Sequence, residues 1–320
     1  MINKVIKLLY WVALFITLAV AITIFAPKTE HLILWQYVIL FSPRYSYLFL
    51  CLFLLAVSHK LSKIQRYSLP LFFLVGYFYI DIQINFSEGT LDDKNAITLV
   101  TANLGEGSKQ PKIEALIKFY NPDILLLQEA GHLAALKVFK EYPFRDCKGN
   151  LCFISKYKFT NKEYLDSAMF SGYGKWAAFY EIELNKTKVN IANIHFPSVR
   201  KVFNNFNEVN NVHENRIIAA GIINDWASTK SNVIIAGDFN MSVSDSLYRQ
   251  KFSSYKNAIS SVGHGFNTTV DYKYRGFSVP GIRVDHILLS KEFNIEKARV
   301  LETLGGDHYP VLSKVSFNGH

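Results

Sequence analysis

The chain has 320 residues, 50% of them hydrophobic and 19% charged, with a formal net charge of +9. That is more apolar than an ordinary soluble domain, and the excess lies before about Asn85. Seven basic residues (Lys4, Lys7, Lys28, Arg44, Lys60, Lys63, Arg66) but only Glu30 and Asp81 fall in that stretch; the remainder carries +4, too little for a strong electrostatic footprint on nucleic acid.

Val5–Phe25 is an apolar stretch about as long as a bilayer-crossing helix. A cleaved signal peptide is the rival reading, but no small-x-small cleavage site follows and further apolar segments do. The next run, Leu32–Val57, is interrupted at Pro43 and Arg44. A second crossing is expected over 45–60, with Leu32–Phe41 lying at the interface or extending the helix past a kink. A third is expected over 67–84, with Asp81 near its far end. Lys4 and Lys7 precede the first span, and Lys60, Lys63 and Arg66 lie between the second and third, so both clusters read as cytoplasmic. Residues 1–85 are thus expected to form the membrane region of an integral inner (plasma) membrane protein. Three crossings place everything after Asn85 outside the cytoplasm; a double crossing by the interrupted run would place it inside.

Phe86–Asn95 is polar and reads as a linker to a domain over 96–320. In that domain Ile97–Thr101 is an apolar strand, Pro111–Phe119 a helix, Ile124–Leu127 a fully buried strand and His132–Phe139 a helix. Strands follow at Leu151–Ser155, Ala177–Leu184 and Lys188–Ile194. Phe203–Asn211, rich in Asn, suggests an exposed loop that shapes a cleft. A helix over Glu214–Trp226 leads into a strand at Val233–Ala236, with later strands at Val284–Leu289 and Val311–Phe317. Cys147 and Cys152 flank a small Gly-containing loop. They read either as a disulfide of an oxidising compartment or as two unpaired thiols. Zinc is poorly supported, with two thiols and no nearby His pair.

Polar clusters end these strands: Asn103, Glu129, His195, Asp238 with Asn240, Asp285, and Asp307 with His308. Taken singly, an Asn or Asp after a strand is more often a turn or helix cap. As an ordered series the set suggests phosphoryl chemistry. Hard oxygen ligands without a His or Cys cage favour magnesium or manganese, a carboxylate deprotonates water, and an Asn donates to transition-state oxygens. An Asp bonded to a His fixes its tautomer and raises its pKa.

The ordered set Asn103, Gln128-Glu129, His195, Gly237-Asp238-Phe239-Asn240, Val284-Asp285-His286 and Gly306-Asp307-His308-Tyr309-Pro310 resembles the endonuclease/exonuclease/phosphatase superfamily, also called DNase-I-like. Leu151–Lys156 is similar to that family's Gly-x-Ala-x-x-Ser-Arg/Lys strand, with Cys152 and Phe153 replacing small residues. The resemblance implies an α/β fold, a four-layered α/β sandwich with two packed, mainly antiparallel sheets. It implies that Asn103 and Glu129 hold Mg2+ or Mn2+, with Asp307 near or on the metal. Asp238 would activate the water, Asn240 support the transition state, and His308, oriented by Asp285, contact the scissile phosphate. His195 would act near the leaving group; its sequence neighbours suggest no acidic partner.

Other residues read more plainly. His286 follows Asp285 on a strand and so faces the other way; His213 and His264 match no motif; Arg200 and Lys201 read equally as phosphate ligands or a solvated turn. Gly105-Glu106-Gly107 lacks the Lys of a nucleotide-binding loop and reads as a turn. The expected activity is metal-dependent phosphodiester hydrolysis of nucleic acid, with a lipid or inositol-phosphate headgroup as the alternative. A phosphate-binding sensor without turnover would show a broken catalytic position, and none is broken. The bilayer is expected as a partner, and no protein is.

Overall fold

The computed structural model describes residues 1–26, 31–85, 96–105, 107–184, 186–274 and 276–317. The expected linker, 86–95, lies outside them. Four helices come first: α1 (Ile2–Phe25), α2 (Ile33–Leu40), α3 (Tyr45–Ala56) and α4 (Lys63–Ile80). Among the described helices α1 alone is long and apolar enough to cross a membrane; α2 and α3 qualify only as a pair, bent by 75°. Pro43 explains the break, since it lacks a backbone N–H and pushes its predecessor out of the helical region. Helices α1, α3 and α4 share an apolar core that includes Tyr10, Ala13, Cys51, Leu54 and Phe72.

Two expected spans end early. Helix α3 stops at Ala56, with a 3-10 turn over Ser58–Lys60. Helix α4 starts on a Ser62–Gln65 capping box and ends where Asp81 adopts φ +60°. Ile82–Ile84, expected to finish the third span, instead forms strand β1, paired with β11 (His264–Phe266). The left-handed turn at Asp81 redirects the chain from helix to sheet.

The rest of the chain is the sandwich. Its strands are β2 (Ile97–Asn103), β3 (Ile124–Gln128), β4 (Phe144–Lys148), β5 (Leu151–Ser155), β6 (Phe159–Asp166), β7 (Lys175–Leu184), β8 (Thr187–His195), β9 (Val233–Asp238), β10 (Lys256–Asn257), β12 (Asp271–Tyr274), β13 (Phe277–Pro280), β14 (Asp285–Leu289), β15 (Phe293–Val300) and β16 (Val311–Phe317). They form two six-stranded sheets, ordered β10-β14-β9-β8-β7-β6 and β15-β16-β2-β3-β5-β4, while β12 and β13 make a separate hairpin. Pairing is antiparallel except at β2–β3 and β8–β9. Alternation within strands fills both faces: in β9, Ile234 and Ala236 point into the core between the sheets, whereas Val233 and Ile235 face the outer layer. That layer holds α7 (Val209–Ser228) and α8 (Ser246–Phe252), and α5 (Gln110–Tyr120) covers the opposite sheet. The expected four-layered α/β sandwich is therefore the observed one.

The helix expected over His132–Phe139 is absent; 3-10 turns over Gly131–Leu133 and Lys137–Glu141 replace it. Its apolar residues match a helical stripe, but Val138 and Phe139 pack onto the sheet from a single short turn. The Asn-rich stretch is largely helical, divided between α6 (Arg200–Asn204), a 3-10 turn over Phe206–Glu208 and the start of α7. Cys147 and Cys152, opposite one another in the β4–β5 hairpin, form a disulfide.

The N-terminal helices dock on the sandwich. Ile33 and Tyr37 of α2 share a buried cluster with Val199, Val202 and Val212 of the α6–α7 region. Asp81 receives two hydrogen bonds of 2.9 Å from the Arg283 guanidinium, both side chains nearly sealed from solvent. Buried charge is tolerated only when paired in this way.

Candidate active site

Sheet register assembles the site. Asp238, at the end of β9, stands opposite His195 of β8 on one side and Asp285 of β14 on the other. Asn103 closes β2 on the neighbouring sheet, level with Gln128 of β3, so that Glu129 emerges at the same edge. The two sheets are tied beneath it by a buried amide pair: Gln128 Nε2 donates to Asn193 Oδ1 at 2.7 Å, and Asn193 Nδ2 donates to the Leu127 and Cys152 carbonyls.

Two backbone features aim the side chains. Glu129 has φ +52° and Asn240 φ +48°, both in the left-handed region that non-glycine residues rarely occupy. Gly237 is obligatory for space, because a Cβ there would lie 1.9 Å from the Ile194 carbonyl oxygen. Gly105 leaves room for a different reason: a Cβ would lie 2.7 Å from Glu129 Oε2. Its amide also donates to Asn103 Oδ1 at 3.0 Å, so it belongs to the site instead of a plain turn.

The polar groups converge. Asn103 Nδ2 donates to Glu129 Oε1 at 3.0 Å and to Asp238 Oδ2 at 3.1 Å. His195 Nε2 stands 3.7 Å from Glu129 Oε1 and 3.6 Å from Asp238 Oδ2, which supplies the acidic neighbours the sequence left unidentified. His308 Nδ1 pairs with Asp285 at 2.9 Å, while its Nε2 faces Asp238 Oδ2 at 3.8 Å. Asp285 is steadied by Thr269, whose hydroxyl accepts from the Val284 and Asp285 amides. Burial disfavours a charged His308 ring, but Asp285, Asp238 and Asp307 more than offset this and push its pKa up to about 10. Burial in turn raises the Asp285 carboxyl, against the opposing pull of His308. Asp238, Asp285 and His308 come within 4.8 Å of one another, spacing that also suits a cation. Both ring nitrogens of His308 face carboxylates.

Seven of the eight expected residues thus gather at one edge, and a cleft of about 260 Å3 opens over Glu129, His195, Asp238, Asn240 and His308. The Asp307 carboxylate pairs with Arg200. Although burial opposes ionisation of Asp307, His308 and Arg200 bring its pKa down. The left-handed Gly305 and the Val270–His308 bridge shape the turn that carries both residues. Arg200 and Lys201 line the cleft from α6, joined by Asn211 and Asn215 of α7.

Other histidines stay outside. His286 is buried on the opposite face, bonded to Asn257 and the Met241 carbonyl, and burial keeps it neutral by lowering its pKa. His213 meets the Tyr37 hydroxyl at 3.1 Å. The supporting residues Thr269, Asn193 and Arg216 carried no motif signal. Each works through a partner far away in the chain.

A two-sheet sandwich that delivers Asn, Glu, His, Asp-x-Asn and an Asp–His pair to one edge defines a class of hydrolytic phosphoesterases. The chain belongs to the Endonuclease/Exonuclease/phosphatase family, whose sequence profile matches residues 100–308. It is therefore an enzyme of phosphoric ester hydrolysis. No curated protein matches the chain. Among solved structures, an endonuclease/exonuclease/phosphatase family protein from Bacteroides thetaiotaomicron is 16% identical with TM-score 0.54, covering 70% of this chain and 95% of its own. The D. rerio TDP2 complexed with single-strand DNA product is 15% identical with TM-score 0.57, covering 70% and 100%. A Bacteroides thetaiotaomicron mannosyl-6-phosphatase is 16% identical with TM-score 0.55, covering 69% and 100%. At these identities the likeness shows the fold.

Proposed function

We propose that residues 96–320 hydrolyse phosphodiesters at a membrane surface with a bound Mg2+ or Mn2+. The observation that carries this is the run Asp285–His308–Asp238 beside Glu129 at the floor of the cleft. Asp238, nearly sealed from solvent, accepts the proton of the attacking water. Asn240 spends one amide hydrogen on the Phe196 carbonyl at 3.0 Å, and its other is free for a phosphoryl oxygen. The protonated His308, oriented by Asp285, donates from Nε2 to the same group. His195, facing Glu129 and Asp238, would act near the leaving oxygen.

Two carboxylate oxygens, from Glu129 and Asp238, converge on the single Asn103 NH2 group, a place that favours positive charge. The hard oxygen donors suit magnesium or manganese. Asn103 and Glu129 would hold the ion, Asn103 through the Oδ1 that accepts from Gly105, with Asp307, paired with Arg200, near it. The ion would offset charge on the phosphoryl oxygens.

Helices α6 and α7, which line the cleft, pack directly on α2. This supports a substrate at the bilayer, a lipid headgroup in particular, over a free polymer. A nucleic-acid diester is the second reading, supported by exposed Tyr173 beside Arg200 and Lys201 at the cleft. The α1 span and the Cys147–Cys152 disulfide support an inner-membrane protein with residues 96–320 outside the cytoplasm. The test is hydrolysis by the full chain in lipid nanodiscs with Mg2+, Mn2+ or chelator, offered plasmid DNA, RNA, sphingomyelin and inositol phosphates. Metal-dependent turnover of a lipid headgroup is expected and should vanish with Asp238→Asn. A folded, metal-binding protein that turns over none of them would sink the proposal.

A further inference from the structure

The segment between β9 and α8 begins just after Asp238, carries Asn240 and then runs through Met241, Ser242, Val243 and Ser244 to Asp245. Left to itself it has little reason to keep Asn240 in a left-handed conformation, which costs on the order of 1–3 kcal/mol for a residue with a side chain. Two buried arginines hold it. Arg216 of α7, fully buried, donates from Nη1 to the Asn240 carbonyl at 2.6 Å and from Nη2 to Asp245 at 3.2 Å. Its guanidinium lies over the Tyr37 ring of α2, 5.3 Å from the centroid.

The second arginine comes from the other end of the chain. Arg44, at the break between α2 and α3 and 2% exposed, donates from Nη2 to Ser242 Oγ at 2.8 Å and from Nη1 to Ser244 Oγ at 3.3 Å. The same two nitrogens bond the Leu40 carbonyl at 2.9 Å and the Tyr79 carbonyl at 2.6 Å, at the ends of α2 and α4. Ser244 Oγ also donates to the Phe78 carbonyl at 2.8 Å. A planar guanidinium with a fixed fork of donors can bridge helix ends and loop hydroxyls at once, which a lysine cannot.

We propose that Arg44 is a positioning residue for catalysis: through Ser242 and Ser244 the N-terminal helices fix the loop that presents Asn240. The inference rests on Asn240 acting in the hydrolysis proposed above. The N-terminal region is then part of the catalytic unit, and its docking sets the geometry of the site it adjoins.

The test compares the full chain in nanodiscs with Arg44→Ala and Arg44→Lys, reading hydrogen exchange of residues 239–245 and turnover of bis(p-nitrophenyl) phosphate with Mn2+. Arg44→Ala is expected to speed exchange of that segment at least ~10-fold while β9 and β14 stay protected. It should lower kcat up to about 100-fold, the cost of misplacing a group by about 1 Å, with KM within about 2-fold. Arg44→Lys should recover part of both losses. Wild-type exchange together with wild-type kcat in Arg44→Ala would overturn the proposal. Should Arg44→Ala not fold, Ser242→Ala/Ser244→Ala leaves the Arg44 bonds to Leu40 and Tyr79 in place and is held to the same two criteria. If the wild type hydrolyses nothing, the functional reading fails, and exchange alone decides: faster exchange upholds the positioning role and unchanged exchange removes it.

Discussion

At the edge of the sandwich, His195, Asp238 and Asp285 stand side by side because three neighbouring strands are in register. On the face that meets the N-terminal helices, contacts instead join residues very distant in sequence: Tyr37 to His213, Arg44 to Ser244, Asp81 to Arg283. The edge is held by apolar alternation in β9 and its neighbours, a force spread over many side chains. The docked face relies on a few buried charges and hydrogen bonds, which are costly when half of a pair is lost. The sandwich should therefore lose less stability than the docked face to a single polar substitution.

This contrast can be broken at either side. The largest effect is expected at the edge, where Asp238→Ala or His308→Ala should lower kcat by about 10^2–10^4-fold in a steady-state assay; His308→Ala also leaves the buried Asp285 carboxylate without its partner and should lower the unfolding temperature. Near-normal rates would remove these residues from the chemistry. On the docked face Arg283→Ala strands the Asp81 carboxylate out of solvent. Denaturant unfolding should register a loss of about 3–5 kcal/mol, partly recovered in Arg283→Ala/Asp81→Ala; equal losses in the single and double variants would show that the pair adds nothing. Opening the Cys147–Cys152 crosslink by reduction should cost about 2 kcal/mol, small because the loop it closes is short. The half-buried Lys156–Asp123 pair marks the lower limit: Lys156→Ala should change stability by less than about 1 kcal/mol. A larger change there would mean that surface pairs also carry the sandwich.

The edge was legible in the sequence because each of its residues lies at or near an end of an apolar strand, and a strand delivers its terminal side chains to a predictable place. The sandwich followed from the same pattern, and Leu151–Ser155 and Val311–Phe317 were read to the residue. Strands with mixed faces, such as β6 and β15, were not read, since half their side chains are polar or exposed and no continuous apolar run announces them. The Asp307–Arg200 pair was not read, because adjacency to His308 says nothing about direction in a turn. Arg216 and Thr269 were invisible for a related reason: an arginine inside a helix and a threonine in a loop look solvated until their partners, from elsewhere in the chain, arrive. The docked face was missed altogether. Asp81 and Arg44 read as interruptions of apolar runs, where they are the points of attachment.

The tie between Asp81 and Arg283 also has a consequence for assembly. Asp81 leaves the ribosome long before Arg283, which is separated from it by 202 residues. The helices are therefore made, and inserted if α1 is a span, while their docking surface does not yet exist. During that interval Arg44 and Asp81 lack their distant partners, a loop closure whose entropy must be met before its contacts form. Docking is then a late event in biogenesis, completed only after nearly the whole chain has emerged.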